Sequence, residues 1–354
     1  MSGGIVQLVA TGIQDVHLTG NPEISFFRSN YRRHTHFAMG IEEQIIQGTP
    51  GPSSMSTLRF ERKGDLLSYV YFTAGDTASN IMSIDWNTVI DKVELVIGGQ
   101  VIDTQDVFFS NTISPLYVSS TYSTKFQSVG TTNFFPLQFF FCKDFQSALP
   151  LIALQFHDVE IRIYWANPAS PIPAVNSRSY RAWANFIYLD ADERKHFAEK
   201  PLDMIIYQLQ RTPAQPAQVQ EVVFNHPVKF ITFPSRDYTN PNQTLKLQIN
   251  GVDIGLDKGL PHFTDVSPYY HTQYGFETSD TLRKMALIPF CLDTSKLQPT
   301  GTLNFSRIDS FRLVTQAPSL TSNIVNTARS QYIYAVNYNV LRINKGMAGL
   351  LYSN

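Results

Sequence analysis

The stretch FFCKDFQSALPLIALQF (residues 140–156) returns in diverged form as PFCLDTSKLQPTGTLNF at residues 289–305. Six identities share one offset of 149 residues: Phe141 and Phe290, Cys142 and Cys291, Asp144 and Asp293, Pro150 and Pro299, Leu154 and Leu303, Phe156 and Phe305. A second related pair, IGGQVID at 97–103 and INGVDIG at 249–255, is offset by 152 residues. Repetition at a nearly constant spacing indicates duplicated structural units. The sequence therefore predicts two copies of one unit.

The hydrophobic period of that unit is two residues. Apolar and polar residues alternate around Leu58 and Phe60, Val93 to Ile97, Val159 to Ile163 and Leu245 to Ile249, which is typical of half-buried strands. Three turn signals punctuate them: Lys63-Gly64-Asp65, Gly98-Gly99 and Asn250-Gly251. We expect hairpin turns there. Residues 192–197 predict a short helix, and 104–133 and 254–284 predict long loops. An all-β sandwich or barrel fold follows.

A change in composition marks the boundary between the two copies. Residues 211–218, RTPAQPAQ, are rich in proline and uncharged after the first residue, as in a short linker. We therefore predict an N-terminal arm at 1–24, a first β domain at 25–210, the linker at 211–218 and a second β domain at 219–354.

Composition limits the classes of function. Twenty-eight basic and 29 acidic residues give a net charge of −1, whereas proteins that bind nucleic acid through phosphate contacts are usually basic. We expect no direct nucleic-acid partner. Charged residues make up only 16% of the chain, which favours a protein with large subunit interfaces. Two cysteines are too few for a disulfide framework. No signal peptide or membrane anchor is expected in residues 1–20.

One segment combines several chemistries. NPEISFFRSNYRRHTHF at 21–37 contains three arginines, two histidines and four aromatic residues. Three interpretations are open for it: a nucleic-acid contact, a metal site or a packed strand. The near-zero net charge weakens the first. His34 and His36, followed by Glu42, partly match the first metal motif of cupins, but the preceding glycine and a second motif are missing. No metal or cofactor is predicted.

Other reactive residue types have simpler structural explanations. Cys142, Cys291 and His157 lack a nucleophile-elbow motif, so no catalytic residue is predicted. Asp190, Asp192 and Glu193 read as a turn or helix start, since calcium-loop spacing is absent. The sequons at Asn242 and Asn304 predict glycosylation only weakly, and Asn304 lies within the repeated strand motif.

The sequence resembles a known family at several points. GNPEISFFRSNYRRHTHFA at 20–38 closely resembles the N-terminal signature of the major capsid proteins of nucleocytoplasmic large DNA viruses, the iridovirus, phycodnavirus and giant-virus group. Further similar motifs follow in family order, and the resemblance covers nearly the whole chain. They are ERKGDLLSYVYF (61–72), VELVIGGQVID (93–103), ALPLIALQFHDVEIRI (148–163), YLDADERKHFA (188–198), FNHPVKFI (224–231), LQINGVD (247–253), QPTGTLNFSRID (298–309) and NYNVLRINKGMAGLLYSN (337–354).

This resemblance implies a double jelly roll, two consecutive eight-stranded barrels with short loops and few short helices. It implies a structural protein whose homotrimers form pseudo-hexagonal capsomers that tile an icosahedral capsid. The implied partners are further copies, neighbouring capsomers, minor capsid proteins and, through the arm, an inner viral membrane. Assembly is implied in the host cytoplasm. Arg28, Tyr31, Arg32 and Arg33 then become interface residues, and Phe26, Phe27 and Phe37 are expected to pack in the first barrel or at a trimer contact.

Three alternative functions remain open at this point. A minor or vertex-associated capsid protein of the same fold differs from the major component only in copy number. A cupin-like metalloenzyme requires a metal at the histidines. A glycan-binding jelly roll requires exposed aromatic residues in the predicted loops, where the sequence places Tyr117, Tyr122, Tyr269, Tyr270 and Tyr274.

Overall fold

The computed structural model describes residues 12–29, 31–75, 81–118, 131–167, 178–236, 242–272 and 284–352. Contacts divide the chain into two units, Met1–His36 and Phe37–Asn354. The described part of the first unit contains a helical turn, Ile13–Asp15, and the short helix α1 (Val16–Thr19), and it continues without a strand to His36. No helix among the described residues is long and apolar enough to span a bilayer.

The second unit consists mainly of strands. Those of its first half are β1 (Phe37–Gln44), β2 (Ile46–Gln47), β3 (Met55–Arg59), β4 (Leu66–Gly75), β5 (Ile81–Met82), β6 (Ile84–Asp85), β7 (Ile90–Ile97), β8 (Gln100–Asp106), β9 (Thr131–Thr132), β10 (Phe134–Pro136), β11 (Leu149–Pro150), β12 (Val159–Trp165) and β13 (Ser179–Leu189). Those of its second half are β14 (Leu202–Pro213), β15 (Val219–Glu221), β16 (Pro227–Pro234), β17 (Thr244–Ile249), β18 (Val252–Gly259), β19 (Met285–Pro289), β20 (Leu303–Asn304), β21 (Phe311–Thr315), β22 (Tyr332–Asn344) and β23 (Met347–Leu350).

Helical pieces are short. The α-helices of this unit are α2 (Ala191–Glu199), α3 (Ser267–His271) and α4 (Leu320–Asn323), and segments of π-helical geometry span Phe109–Val118 and His262–Val266. Single 3-10 turns occupy Trp86–Thr88, Phe140–Cys142, Phe145–Ser147, Leu151–Ala153 and Phe305–Arg307. The helix predicted at 192–197 is confirmed as α2, which begins after Asp190 because that carboxylate accepts a hydrogen bond from the main-chain N–H of Ala191 at 2.7 Å.

The two halves have the same topology. In the first half the principal strands follow the orders β1-β13-β4-β10 and β3-β12-β7-β8, and in the second β14-β22-β16-β19 and β15-β21-β17-β18. Each half is therefore an eight-stranded jelly roll of two facing sheets, called barrel 1 and barrel 2 below. The predicted all-β double jelly roll is confirmed. Within a barrel, alternate residues face the interior: Val159, Ile161, Ile163 and Trp165 of β12 are buried, and the residues between them are half-buried.

The duplicated turns confirm the internal repeat. Gly98 and Gly99 join β7 to β8 with φ of 57° and 83°, and Asn250 and Gly251 join β17 to β18 with φ of 49° and 79°. Two successive positive φ angles are the geometry of two-residue hairpins. The hairpin predicted at Lys63-Gly64-Asp65 is wrong, because β3 and β4 on either side of it belong to different sheets.

The register of the first repeat holds only in its first part. Asp144 and Asp293 have the same structural role. Each carboxylate accepts a hydrogen bond from the main-chain N–H two residues later, at 3.1 Å for Asp144 and 2.8 Å for Asp293. The sequence identities after Asp144 and Asp293 do not fall at matching positions of the two barrels. Leu149 pairs with Leu67 and Leu303 pairs with Val228 at matching places in the two barrels, so Leu303 corresponds to Leu149 and not to Leu154. The segment between is longer in barrel 2.

Two boundaries also differ from the prediction. β14 starts at Leu202 and pairs with β22 of barrel 2 along its whole length, so the linker at 211–218 does not separate the barrels and its first three residues are strand. We place the start of barrel 2 at Leu202. At the other end, β1 begins at Phe37 and residues 25–36 precede the first strand. The predicted loops at 104–133 and 254–284 contain the ends of β8 and β18 and are helical over 109–118 and 262–271. Their residues 119–130 and 273–283 lie outside the described residues.

Gly98 and Gly99 offer a matched test of the hairpin. Alanine at either position meets the backbone cost of a left-handed conformation, about 1–2 kcal/mol. A Cβ at Gly98 also collides with the His157 ring, whereas a Cβ at Gly99 meets open space. We expect Gly99→Ala to lower the free energy of unfolding by about 1 kcal/mol and Gly98→Ala by clearly more. Urea denaturation measures both, and equal losses would contradict the packing of His157.

Candidate assembly surfaces

Barrels 1 and 2 meet along a seam between β8 and β14. The main-chain N–H of Leu209 donates to Asp103 Oδ1 at 2.9 Å, and the Gln208 side-chain amide donates to the carbonyl oxygen of Ile102. Gln208 in turn accepts from the Asn339 amide at 2.9 Å. Hydrogen bonds from strand edge to strand edge therefore fix the register of one barrel on the other.

Asp106, the last residue of β8, is the polar centre of the seam. Its carboxylate accepts from the Tyr334 hydroxyl at 2.7 Å, from Arg211 Nη1 at 3.0 Å and from the main-chain N–H of Phe109 at 2.9 Å. Asp106 is buried. One carboxylate thus joins β8, the helical segment after it and two strands of barrel 2, and such charge-assisted bonds are stronger than neutral ones.

The apolar part of the seam is supplied by the helical segment Phe109–Val118, called the covering segment. It lies on the outer face of the β14-β22-β16-β19 sheet. The Tyr117 ring packs edge-on against Phe230 with centroids 5.9 Å apart, and its hydroxyl donates to the carbonyl oxygen of Met285 at 3.3 Å. Phe230 and Met285 are fully buried although they point out of barrel 2. Barrel 2 therefore has one outer face that barrel 1 covers.

Two ionisable side chains at the seam, Asp103 and Lys143, have hydrogen-bond partners and are not part of the ion pair at Asp106. Burial raises the pKa of Asp103 to about 7, although the N–H of Leu209 and the Gln105 amide oppose that rise. Burial likewise lowers the pKa of Lys143 to about 7, and its ammonium donates to Ser114 and Gln138. Removing such groups from water favours their neutral forms. Burial at the seam therefore favours the neutral forms of Asp103 and Lys143, whereas Asp106 has an arginine as its ion-pair partner.

The matching outer face of barrel 1 is open. A groove of about 1220 Å³ runs over the sheet β1-β13-β4-β10. Residues that line it include Ile41, Tyr69, Tyr71, Phe134, Arg181 and Trp183. These side chains are half-buried or exposed, whereas Phe230, Met285 and Tyr334 on the same face of barrel 2 are fully buried. The groove is an apolar and aromatic surface that the described part of the chain leaves uncovered.

The edge strand β18 of barrel 2 is exposed as well. Every residue of β18 is exposed, including Val252, Ile254 and Leu256. Residues 262–271, which follow β18 as the covering segment follows β8, expose Tyr269 and Tyr270. Contiguous exposed apolar surface of this kind marks interaction sites. The outer face of barrel 1 therefore lacks a covering segment, and residues 262–271 of barrel 2 cover no sheet face of barrel 1 in the described part of the chain.

The sequence-predicted interface residues lie elsewhere. Arg28, Tyr31, Arg32 and Arg33 belong to the unit Met1–His36 and are all exposed. Phe27 is 98% and Tyr31 88% exposed, and the expectation that these rings pack in the first barrel or at a trimer contact stays a prediction. Phe37 alone belongs to a strand, β1, and is partly exposed. A role for the arginines at an interface stays a prediction.

The structure assigns structural roles to several residues considered for chemistry. The main-chain N–H of Ala348 donates to His157 Nδ1 at 3.1 Å, which fixes that ring between the barrels. Burial raises the thiol pKa of Cys142 to about 12 and of Cys291 to about 11, so both thiols stay protonated. In the described residues, no group of three or more His, Cys, Asp or Glu side chains is placed to hold a metal.

The residues considered for glycan binding or glycosylation differ in their exposure. Tyr117 is buried at the seam, Tyr269 and Tyr270 are exposed, and Tyr122 and Tyr274 lie outside the described residues. Asn242 is exposed. The Asn304 side chain accepts a hydrogen bond from the main-chain N–H of Ser306 at 3.1 Å, so this sequon helps to form a turn.

Sequence reasoning missed both the groove and the exposed segment that follows β18. One signal was present: SPLY at 114–117 returns as SPYY at 267–270. The repeat is too short to be noticed without the strands around it. It becomes informative once β8 and β18 are seen to occupy matching positions.

Comparisons with known proteins agree on one family. Residues 25–190 match the family model "Major capsid protein N-terminus", and residues 237–349 match "Large eukaryotic DNA virus major capsid protein". The chain is 34% identical to the major capsid protein of Pyramimonas orientalis virus and 32% identical to that of Paramecium bursaria Chlorella virus 1, each over the full length of both proteins. Its fold is similar to a crystal structure of PBCV-1 VP54, with a TM-score of 0.76, 28% identity and coverage of 93% of this chain and 100% of that one.

Asp106 and Asp203 provide a matched test of the seam. Both form ion pairs with an arginine on a neighbouring strand, but the Asp203–Arg342 pair is half exposed. Asp106→Ala leaves the Tyr334 hydroxyl and Arg211 without their acceptor in a buried contact, and we expect a loss of about 3 kcal/mol in the free energy of unfolding. Asp203→Ala should change it little, because exposed pairs contribute little. Urea denaturation of both variants measures this, and similar small effects would contradict the role of Asp106.

Proposed function

The chain belongs to the family of large eukaryotic DNA virus major capsid proteins, and we propose that three copies of it form a capsomer of six barrels. The protein is a structural component of the virion capsid and not an enzyme. Its relatives from Pyramimonas orientalis virus and Paramecium bursaria Chlorella virus 1 are themselves named major capsid proteins. The trimer, its pseudo-hexagonal outline and its tiling of an icosahedral shell are the proposed part.

The proposal rests on one observation. Each chain has two covering elements and two receiving sheet faces, but in the part of the chain that the structure describes only one covering element contacts a receiving face, and that contact is the seam. Barrel 1 covers an outer sheet face of barrel 2, the same face of barrel 1 is open, and barrel 2 exposes the elements that correspond to the cover. Two different surfaces on one molecule that fit each other form a head-to-tail contact. Such contacts close into a ring when the rotation between copies allows it.

Three copies match the number that the family resemblance implies. Within such a ring, contacts inside a chain alternate with contacts between chains, and each contact joins one barrel to the next. The driving force is apolar burial of about 25 cal/mol per Å² before association costs. The aromatic lining of the groove supports this, since Tyr and Trp dominate the energetics of interfaces.

The N-terminal unit is proposed to act outside this ring. Its exposed aromatic and arginine side chains, among them Phe27 and Arg32, suit contacts with other components. We assign them to minor capsid proteins or the inner viral membrane, during assembly in the host cytoplasm.

The oligomeric state tests the main proposal. Sedimentation and native mass spectrometry of the purified chain should give a species of about three times 40.0 kDa that persists at micromolar concentration. A monodisperse monomer, or a closed dimer, would refute the trimer while leaving the family assignment intact.

A double substitution tests the N-terminal unit. Arg32→Ala with Arg33→Ala removes two exposed cations from the unit Met1–His36, so we expect trimers to form normally and the yield of complete shells in infected or co-expressing cells to fall at least tenfold. Arg342→Ala, an exposed arginine on β22, is the control and should assemble like the native chain. Normal shells from the double variant would exclude this role.

A further inference from the structure

We propose that Tyr270 of one copy inserts into the groove on barrel 1 of the next copy, in the place that Tyr117 holds inside each chain. This inference rests on the proposed trimer and deepens it by naming the contact between copies. The receiving surface consists of Tyr69, Phe134 and Trp183, and the inserted element is residues 262–271.

The inserted element and the covering segment are duplicates. The covering segment follows the hairpin β7-β8, and residues 262–271 follow the hairpin β17-β18. Both are ten residues long, the covering segment being π-helical throughout and residues 262–271 over their first five residues. Both end with related sequences, SPLYV at 114–118 and SPYYH at 267–271. Tyr270 therefore corresponds to Tyr117.

The two receiving faces are duplicates as well. Leu149 pairs with Leu67 and Leu303 pairs with Val228 at matching places in the two barrels, and three residues further along β4 and β16 Val70 pairs with Ala184 and Ile231 pairs with Ala335. Counting outward from these paired residues matches Tyr69 with Phe230 and Trp183 with Tyr334. The strand at the side gives a third match, since Phe134 pairs with Thr73 where Met285 pairs with Pro234.

The contacts of Tyr117 therefore have counterparts in the groove. Tyr117 packs on Phe230 and reaches Met285, and the corresponding positions hold Tyr69 and Phe134. Every one of these groove positions carries an aromatic ring. A tyrosine that enters the groove would meet aromatic rings, and contacts between aromatic rings add to the energy of area burial.

Burial separates the filled site from the open one. Tyr117 is 5% exposed, whereas Tyr270 is 72% exposed. The receiving residues differ in the same way: Phe230 and Met285 are fully buried, while Tyr69 is half-buried and Phe134 is exposed. A second copy of the chain removes both discrepancies at once.

The charged residues beside the groove and the inserted element have signs opposite to those at the seam. Inside the chain, Asp106 at the end of β8 pairs with Arg211 of β14. Glu43 of β1 occupies the place of Arg211, because Glu43 lies opposite Trp183 as Arg211 lies opposite Tyr334. Lys258 lies at the end of β18, one residue from the position that matches Asp106. Gly259 itself matches Asp106, and Glu43 pairs with Arg181 at 3.6 Å in the single chain, so these charges do not repeat the ion pair of the seam.

Photo-crosslinking tests the placement directly. The probe p-benzoylphenylalanine replaces Tyr270 in one preparation and Ile41, which lines the groove, in another. Each is mixed during assembly with an isotopically labelled native chain, so that links between copies can be recognised by mass. We expect the probe at 270 to link to peptides containing Tyr69 or Phe134 of another copy, and the probe at 41 to link to residues 260–272 of another copy.

A substitution measures the energy of the contact. Tyr270→Ala should raise the concentration at which trimers half-dissociate by at least about 30-fold, the effect of losing one aromatic anchor. Tyr352→Ala removes another exposed tyrosine, near the end of the chain, and should leave that concentration unchanged. Because Tyr270 is exposed in the single chain, its loss should not alter the melting temperature of dissociated monomers.

The outcomes separate this inference from the proposed function. Trimers that form while the probe at 270 links elsewhere, or while the probe at 41 links to residues 12–36, would overturn the tyrosine assignment and leave the trimer standing. A native chain that forms no trimer at any concentration would instead remove the proposed function. Unchanged dissociation of Tyr270→Ala trimers would also overturn the assignment.

Discussion

The packing of one barrel's covering segment on the outer sheet face of the next barrel is the interaction on which the rest of the structure depends. It removes the rings of Tyr117, Phe230 and Tyr334 from water and places the Asp106 carboxylate among three donors. A buried carboxylate is favourable only when its hydrogen-bonding capacity is met. The contact therefore demands a defined geometry as well as apolar area, and this fixes the angle between the barrels.

Gene duplication explains why that geometry matters beyond one chain. Each barrel has a covering element on one side and a receiving sheet face on another. In a chain of two barrels, one covering element contacts one receiving face, and the second covering element and the second receiving face stay exposed. The exposed pair is more aromatic than the buried pair at the receiving positions, with Tyr69, Phe134 and Trp183 where the chain interior has Phe230, Met285 and Tyr334. Amphipathic rings tolerate water before assembly and still supply contact area after it. This difference suits a surface that must remain soluble until copies meet.

The sequence predicts the architecture better than the surfaces. Alternating residues such as Val159, Ile161 and Ile163 identify strands because burial on one face imposes a period of two, and Gly98-Gly99 identifies a hairpin because its φ angles are unfavourable for other residues. Strand pairing across the chain is not local, so the Lys63-Gly64-Asp65 turn between two sheets looked like a hairpin. The edge strand β14 was divided wrongly because polar linker composition and the end of an exposed strand look alike.

The candidate site could be predicted only in part, for a related reason. Tyr270 and Tyr117 have the same local sequence context, and their different burial arises from which elements the chain itself brings together. The arginine-rich segment at 21–37 attracts attention by composition, yet all of it except Phe37 belongs to the separate unit Met1–His36. Residues that complete an interface between copies carry no local mark, since their partner belongs to another molecule.

Cryo-electron microscopy of the purified assembly allows the contact between barrels of different copies to be compared with the contact inside one chain. We predict a threefold particle in which the contact between copies superimposes on the contact inside a chain, with barrel 2 of one copy in the place of barrel 1 and barrel 1 of the next copy in the place of barrel 2. Tyr270 then lies at the groove. Particles in which the groove faces solvent, or in which two copies meet through identical surfaces, would contradict it.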